Sequence, residues 1–277
     1  MKKQDMSNVN KTLYIPLYGK SFVSKRGLFL EDPKAEEIWD AEKFPLKGKS
    51  RSKYLAYYMG MRSAVFDAWA IEQMVYSQDA VIIHLGCGMD SRVLRVGESQ
   101  HVWYDVDFPD VIAQRKRYYQ ENSRYQMIAA DVRDPSWLDQ ISQSKKAIVV
   151  MEGVSMYLMP EELERIIQAV CDRYETVTWL MDCYSVHAAR LSRYKNPIND
   201  VGVTKVYGID DPRVLDTDEF HFVREHEITP KSYVACLRGL ERQIFSRLYA
   251  GKLSRSLYRM YEYKKINLLH NSFCDSI

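Results

Sequence analysis

The fold of this chain is decided by the stretch Ala80-Val-Ile-Ile-His-Leu-Gly-Cys-Gly88. Its apolar residues stop at two glycines, which is typical of a buried parallel strand followed by a tight turn and a helix. A second apolar run, Val102-Trp-Tyr-Asp-Val106, ends at Asp107. This acid follows the glycines by about twenty residues, the spacing at which a carboxylate binds both hydroxyls of a ribose. The stretch therefore predicts an open α/β sheet with an adenosine-bearing cofactor at its carboxyl edge.

The glycine turn argues against a dinucleotide as that cofactor. Dinucleotide folds use G-x-G-x-x-G, in which the third glycine lets the helix pack close to the strand. Here Gly86-Cys-Gly-Met-Asp-Ser91 has a serine in that place. A turn without a third glycine or a lysine suits a ligand that has no phosphates, such as S-adenosylmethionine. Two alternatives stay open at this point, an NAD-linked oxidoreductase and a plain strand-to-helix turn that binds nothing.

Composition predicts one large domain with an appended or inserted cap. A chain of 277 residues can bury roughly three quarters of its unfolded surface, and 46% of its residues are hydrophobic. The formal net charge of +2 selects neither nucleic acid nor an anionic membrane as a partner. The start Met1-Lys-Lys-Gln-Asp5 leads into no apolar segment of signal-peptide length, and no run of ~18 apolar residues follows. We therefore expect a cytoplasmic protein.

The cysteines indicate reduced thiols. They form no C-x-x-C pair, and their odd number leaves one over in any disulfide scheme. Cys87 lies between the two glycines, where it would be either a nucleophile or a small side chain that fits under the turn. The absence of a neighbouring lysine or histidine in the sequence favours the small side chain. The five cysteines are Cys87, Cys171, Cys183, Cys236 and Cys274.

Strand and helix patterns alternate after residue 79, as in a parallel sheet with crossover helices. Before them, residues 1–30 show no regular pattern, and helices are expected over 34–42 and 50–76. After Tyr184 a polar stretch of some thirty-five residues predicts a cap over the sheet edge, because it is too long for an ordinary connection. Strands are expected at 80–85, 101–106, 125–130, 146–152, 176–183, 220–228 and 256–263, and helices at about 91–97, 109–121, 135–140, 160–174 and 232–248.

Carboxylates also follow the third and fourth predicted strands. The third closes with Asp131 and Asp134, and the fourth with Glu152 and Gly153. The carboxyl ends of neighbouring parallel strands converge on one crevice. In a methyltransferase, an acid at the third edge can accept from the adenine amino group, and an acid at the fourth can meet the methionyl ammonium. Helix capping is the alternative for Asp134 and for Glu152.

Four motifs in this order resemble the leucine carboxyl methyltransferase family, with a closer likeness to its bacterial polyketide-type, tetracenomycin-like O-methyltransferases. Three segments nearer the amino terminus resemble that group as well, so the likeness covers roughly residues 12–184. The four motifs are His84–Arg92, Tyr104–Val111, Ala130–Asp134 and Met151–Leu158, and the additional segments are Leu17–Ser21, Asp32-Pro33 and Arg62–Asp67.

The resemblance implies a class I methyltransferase with a Rossmann-like seven-stranded sheet whose last strand is antiparallel. Its expected parts are a helical N-terminal extension (1–78), a cofactor-binding core (79–184), an inserted cap (185–219) and a C-terminal part that completes the sheet (220–277). For the cofactor, the resemblance implies that Arg62 pairs with the methionyl carboxylate, Asp107 holds the ribose, Asp131 reaches the adenine and Glu152 faces the methionyl amine. It places Gly86, Cys87, Gly88 and Val132 along the same ligand.

At the reacting end, the resemblance implies catalytic positions for Lys20, Tyr157 and Glu152. Methyl transfer from a sulfonium is an in-line displacement, so the enzyme mainly aligns two reactants and excludes water. A carboxylate acceptor has a pKa near 4, is ionised at neutral pH and needs no general base. His84 is expected in the core, and His187 is kept as a candidate base for a hydroxyl acceptor. No metal-ligand spacing occurs among the histidines.

These observations predict an S-adenosylmethionine-dependent O-methyltransferase that acts on a carboxylate of a small molecule. The alternatives are a phenol or alcohol methyltransferase, a protein C-terminal carboxyl methyltransferase, and a catalytically silent S-adenosylmethionine-binding module. Basic and aromatic residues over 231–265 could form an RNA surface. A solvated helix face explains them better, because the rest of the chain offsets their charge.

Overall fold

A computed structural model describes residues 11–97, 99–192 and 206–265. Its centre is a seven-stranded sheet in the order β3-β2-β1-β4-β5-β7-β6. The first five strands are parallel, and β7 pairs antiparallel with both β5 and β6. The predicted seven-stranded sheet with an antiparallel last strand is confirmed. The strands are β1 Val81–Leu85, β2 Trp103–Asp107, β3 Tyr125–Ala129, β4 Lys146–Met151, β5 Thr176–Tyr184, β6 Phe220–His226 and β7 Tyr258–Lys265.

The strand order reverses at β1, which fixes the place of a ligand site. β1 pairs with β2 on one side and with β4 on the other, with His84 beside Asp105 and Val150. All five residues of β1 are buried, as expected for a strand covered on both faces. Ligands of open α/β folds bind outside the carboxyl ends of the strands at such a switch point.

Helices and two apolar clusters cover the faces of this sheet. On one face, α1 and α3 pack against Ile82 and Ile148, and on the other α6 packs around Trp179. The helices are α1 Tyr14–Ser24, α2 Pro33–Glu42, α3 Lys53–Tyr76, α4 Arg92–Arg95, α5 Pro109–Arg115, α6 Pro160–Arg173, α7 Val186–Leu191, α8 Lys231–Ala235, α9 Gly239–Leu248 and α10 Lys252–Leu257. Among the residues described, no helix has the length and hydropathy of a membrane span.

The prediction that residues 1–30 are irregular was wrong for the part described, because α1 is a regular helix. Pro16 lies in its first turn, where no intrahelical hydrogen bond is lost. Gly19 lets α1 approach α3, since a Cβ at this position would lie 2.7 Å from the Cβ of Met59. The sequence pattern thus contained two residues that normally interrupt a helix. Position in the first turn accommodates Pro16, and packing against α3 accommodates Gly19. Residues 1–10 and Cys274 lie outside the described residues.

Several predicted elements differ in extent, and one of them is the helix expected over 109–121, which ends at Arg115. The helix expected over 232–248 is divided into α8 and α9, because Gly239 has a φ of +53°. The helix expected over 91–97 is the single turn α4, and the start of the strand expected at 256 belongs to α10. In the region expected to form a cap, residues 193–205 lie outside the described part, whereas α7 is in place next to the sheet edge.

Candidate active site

A cavity of about 1310 Å³ lies at the carboxyl edge of the parallel strands. It runs from the loops after β2 and β3, past the end of β4, to α7 and α10. The structure brings all of the sequence-predicted site residues to its wall. They are Lys20, Arg62, Gly86, Cys87, Gly88, Asp107, Asp131, Val132, Glu152 and Tyr157. Asp134 does not line the cavity and instead caps the turn Pro135–Gln140.

The glycine turn after β1 forms the floor of the cavity near Asp107. Gly86 and Gly88 have φ angles of 65° and 51°, a backbone region that L side chains avoid. A Cβ at Gly86 would come within 2.2 Å of Val154, so the turn and the loop after β4 are in close contact. Burial raises the pKa of the Cys87 thiol well above its usual range, so it is protonated at neutral pH. Cys87 therefore has the character of a small packed side chain and not of a nucleophile.

Asp107 is held by the backbone of the turn and of the next loop. Its carboxylate accepts the Gly88 N–H over 2.7 Å and the Phe108 N–H over 2.7 Å. Burial raises the pKa of Asp107 to about 6, although both N–H groups act in the opposite direction. A buried carboxylate with capacity for further donors matches the two hydroxyls of a ribose.

Asp131 lies at the edge of the same cavity, one strand further on. Its two oxygens accept from the Arg133 guanidinium, with distances of 2.9 and 3.0 Å from Nε, and this bond lowers the pKa of Asp131. Its side chain is 33% exposed. An adenine amino group placed here would add a donor to a carboxylate that already accepts from Arg133.

Glu152, at the end of β4, is ionised at neutral pH. One oxygen lies 2.9 Å from Arg62, and the other accepts from Arg92. Burial opposes ionisation, but the two guanidinium groups overcome it and lower the pKa of Glu152 to about 2. An ionised carboxylate at this point complements an ammonium group.

Arg62 is the cavity residue that best fits a ligand carboxylate. Its Nη1 donates to Asp182 over 2.9 Å and to the Tyr258 hydroxyl over 2.7 Å. Its Nε is buried and has no hydrogen-bond partner. A buried, unpaired guanidinium N–H is costly, and the methionyl carboxylate of S-adenosylmethionine would satisfy it.

Sequence reasoning missed Asp182 and Tyr258, which hold Arg62. Asp182 lies near the carboxyl end of β5, so the rule that identified Glu152 could have identified it too. It accepts the Gly153 N–H over 2.6 Å and the Tyr258 hydroxyl. Tyr258 opens β7, and no local signal in the sequence indicates that it reaches this site.

A buried ionic network adjoins the cavity around Asp90 and Glu152. Lys20 on α1 is 3.2 Å from Asp90, which also pairs with Arg95 over 2.8 Å. The predicted catalytic lysine is therefore buried and engaged with a carboxylate. Asp90 and Arg92 lie within the motif His84–Arg92 and Arg95 lies just after it, but the sequence predicted no role for any of the three. The buried network consists of Lys20, Arg62, Arg92, Arg95, Asp32, Asp67, Asp90, Glu152 and Asp182.

Beyond this network the cavity is lined by tyrosines and apolar side chains. Burial raises the pKa of Tyr58, Tyr157 and Tyr258 above the usual value, so these phenols stay protonated at neutral pH. Among the described lining residues the imidazole is that of His84, which lies 3.2 Å from Asp105 and 3.3 Å from Arg92. His187 is exposed and does not line the cavity.

Comparisons with known proteins agree with this geometry. A family model described as leucine carboxyl methyltransferase matches residues 6–171. The tetracenomycin polyketide synthesis O-methyltransferase TcmP of Streptomyces glaucescens is 28% identical over 262 residues, which cover 93% of this chain and 97% of that protein. The S-adenosyl-L-methionine-dependent methyltransferase dpfgK of Gibberella zeae is 26% identical over 194 residues, 61% of this chain and 62% of that protein.

A solved structure shows the same fold. The crystal structure of a DUF574 family protein from Streptomyces avermitilis is 10% identical, has a TM-score of 0.56 and aligns over 90% of this chain and 96% of that chain. The family model spans more than half of the sequence, and the predicted resemblance is confirmed. The chain belongs to the leucine carboxyl methyltransferase family, and it is an S-adenosylmethionine-dependent methyltransferase, as its motifs predict.

Proposed function

We propose that this enzyme transfers the methyl group of S-adenosylmethionine to a carboxylate of a small molecule. One observation carries the proposal: the charged and titratable groups next to Glu152 are already paired or protonated. Glu152 is paired with two guanidinium groups, His84 lies between Asp105 and Arg92, and burial keeps the phenols of Tyr58, Tyr157 and Tyr258 protonated. An acceptor that arrives already ionised needs no base, and a carboxylate is such an acceptor at neutral pH.

The roles of the site residues follow from their charges and positions. Asp107 would accept the ribose hydroxyls, the Arg62 Nε would bind the methionyl carboxylate and Glu152 would bind the methionyl ammonium. Asp131 and Val132 would contact the adenine. Tyr157 would close the acceptor side against water. Holding the two reactants in line is the largest contribution that such a site can make to a methyl transfer.

The bound sulfonium supplies an electrophilic methyl group. The new bond forms between an acceptor carboxylate oxygen and the methyl carbon while the carbon–sulfur bond breaks. Its electron pair stays on sulfur, which leaves a thioether, and no proton moves. Lys20 lies in the cavity wall with its ammonium against Asp90, and from there its charge would favour an anionic acceptor. The name of TcmP, an O-methyltransferase of polyketide synthesis, supports a small molecule as acceptor.

The test combines ligand binding with a search for the acceptor. Titration calorimetry should show binding of S-adenosylmethionine and S-adenosylhomocysteine and none of NAD. No heat with either sulfur ligand at millimolar concentration would refute the proposal.

The acceptor is then sought with labelled methyl donor. The panel contains acids, their matching alcohols and phenols, and peptides ending in leucine. We expect label on the acids, whereas label on the peptides alone would favour a protein acceptor.

The pH dependence separates carboxyl from hydroxyl methylation. A carboxylate with a pKa near 4 does not titrate between about pH 6 and 8, so the single-turnover rate should be flat over that range. A hydroxyl acceptor needs a base, and the rate would then rise as that base loses its proton. The control variant is His187→Ala. A rate that rises tenfold per pH unit through neutrality would contradict carboxyl methylation, and loss of that slope in His187→Ala would identify His187 as the base.

A further inference from the structure

Two carbonyl groups of the glycine turn accept hydrogen bonds from side chains that the proposed function does not use. Arg115, the last residue of α5, donates to the Gly88 carbonyl over 3.0 Å. The Tyr119 hydroxyl donates to the Met89 carbonyl over 3.2 Å. Arg115 and Tyr119 are buried, and neither of them lines the cavity. They therefore contact the turn from outside the site.

The Arg115 guanidinium is itself fixed by a full set of partners. It donates to Asp105 over 2.5 Å and to the Tyr125 hydroxyl over 3.0 Å, and it lies 4.0 Å from the centroid of the Tyr119 ring. The side chains of Arg115 and Asp105 have 0% exposure. If the guanidinium moved, a buried carboxylate would be left without its countercharge, which is strongly unfavourable. The position of the Gly88 carbonyl is therefore tightly determined.

Gly88 is held at both of its backbone polar groups. Its carbonyl accepts from Arg115, and its N–H donates to Asp107 over 2.7 Å. We propose that Arg115 and Tyr119, here called the turn clamp, are positioning residues that orient the glycine turn and the Asp107 carboxylate toward the adenosine part of the methyl donor. This inference rests on the proposed function, because it assigns the adenosine to that turn.

The chain contains a matched pair of residues remote from the site. Arg173 donates to the Ile141 carbonyl over 2.7 Å and lies 5.8 Å from the Tyr174 ring centroid. The Tyr104 hydroxyl donates to the Ser142 Oγ over 2.8 Å and accepts the Ser142 N–H over 3.0 Å. None of these residues lines the cavity. Arg173→Lys and Tyr104→Phe therefore remove the same kinds of interaction without touching the glycine turn.

The experiment measures binding of S-adenosylhomocysteine and of methylthioadenosine, which lacks the methionyl carboxylate and ammonium. We expect Tyr119→Phe to raise both Kd values about three- to tenfold, the scale of one hydrogen bond. Arg115→Lys should raise both about tenfold or more, because lysine cannot reproduce the guanidinium fork. Arg173→Lys and Tyr104→Phe should leave both Kd values unchanged. By contrast, Arg62→Lys should weaken S-adenosylhomocysteine and leave methylthioadenosine unaffected.

Several results would overturn the inference. They are unchanged Kd values in folded Tyr119→Phe and Arg115→Lys, or a loss confined to S-adenosylhomocysteine, or an equal loss in the remote pair. If Arg115→Lys does not fold, Tyr119→Phe decides alone, since it deletes only one hydroxyl. Normal wild-type binding with unchanged variants would refute the turn clamp and leave the proposed function intact. Failure of the wild type to bind either ligand would refute both.

Discussion

Asp107, which we propose binds the ribose, has a pKa well above that of an ordinary aspartate. It is buried between two backbone N–H groups, and burial raises its pKa to about 6. Ribose hydroxyls donate hydrogen bonds, so they bind the ionised carboxylate better than the neutral acid. The carboxylate that we assign to the ribose therefore changes its charge just below physiological pH.

This predicts a pH dependence of cofactor affinity. As the pH falls from 7 to 5, Asp107 takes up a proton, so the Kd for S-adenosylhomocysteine should rise, by about tenfold near pH 5 if only the ionised form binds. Titration calorimetry at several pH values measures this. Asp107→Asn is the control, with a weaker and nearly pH-independent Kd over the same range. A wild-type Kd that is constant from pH 7 to 5 would remove Asp107 from the ribose site.

At single residues, the sequence predicted which acids lie at the cavity where those acids follow a strand end. Asp107 and Glu152 stand at the carboxyl ends of β2 and β4, and the parallel topology alone brings them together. The partners of Arg62 could not be found in this way. Asp182 is 120 residues away along the chain, and Tyr258 is 196 residues away. Their contacts depend on where α3 and β7 pack, which no local pattern encodes.

At the scale of elements, ionic contacts connect α1 and the N-terminus of α2 to the carboxyl edge of the sheet. Asp32 is the N-cap of α2 and accepts the Ala35 N–H over 2.9 Å. The same carboxylate lies 2.6 Å from Arg95 on α4. From α1, Leu13, Leu17 and Lys20 line the cavity. Asp32 thus caps α2 and also connects this helix to the buried network.

We expect Asp32→Ala to lower the free energy of unfolding by about 3 kcal/mol or more. It removes a cap, which contributes about 1 kcal/mol, and it leaves Arg95 with one buried carboxylate fewer. Asp32→Asn keeps a capping oxygen and should cost less. Urea unfolding measures both variants. The control is Ser185→Ala, which removes the α7 cap alone and should cost about 1 kcal/mol. Equal losses in Asp32→Ala and Ser185→Ala would show that the ion pair adds nothing.

The strands could be predicted to within about two residues because apolar runs bounded by turn residues mark them clearly. The first helix could not be predicted in this way. Its Pro16 is tolerated only because it lies in the first turn, and its Gly19 only because α3 packs against it. The predicted helix over 232–248 failed in the opposite way, because Gly239 interrupts a segment that looks helical in sequence. Its φ of +53° is a local backbone conformation, and the helical sequence pattern on both sides gives no sign of it.

At the scale of the whole molecule, a net charge of +2 conceals an uneven distribution. Residues 43–66 contain six Lys and Arg and no acid, and residues 228–257 contain six with Glu241 as the single acid. The two segments meet, since Lys53 lies 2.6 Å from Glu241 and Tyr54 stacks on Tyr249. Lys49, Ser52, Tyr249 and Ser254 line the cavity at this point. This part of the cavity wall therefore lies next to a basic surface, and we propose that the acceptor enters here.

Such a surface should steer an anionic acceptor toward the cavity. The prediction is that kcat/KM for the acceptor falls as salt rises from about 50 to 500 mM, while kcat at saturation changes little, because screening weakens long-range attraction. Steady-state kinetics with Arg51→Gln and Lys252→Gln should show a flatter salt dependence. Lys145→Gln, at a side chain 75% exposed and outside both basic segments, is the control. The same salt dependence in all three variants would rule out steering by this surface.

The place of β7 in the sheet has a consequence for how the protein emerges from the ribosome. β7 is inserted between β5 and β6, although both are synthesised before it. Until residues 258–265 leave the exit tunnel, the two earlier strands have no partner on their facing sides, and Arg62 lacks the Tyr258 hydroxyl. Any sheet formed by β1 to β5 before that point has an unpaired edge at β5. Closing that edge and completing the wall of the active site are one and the same event.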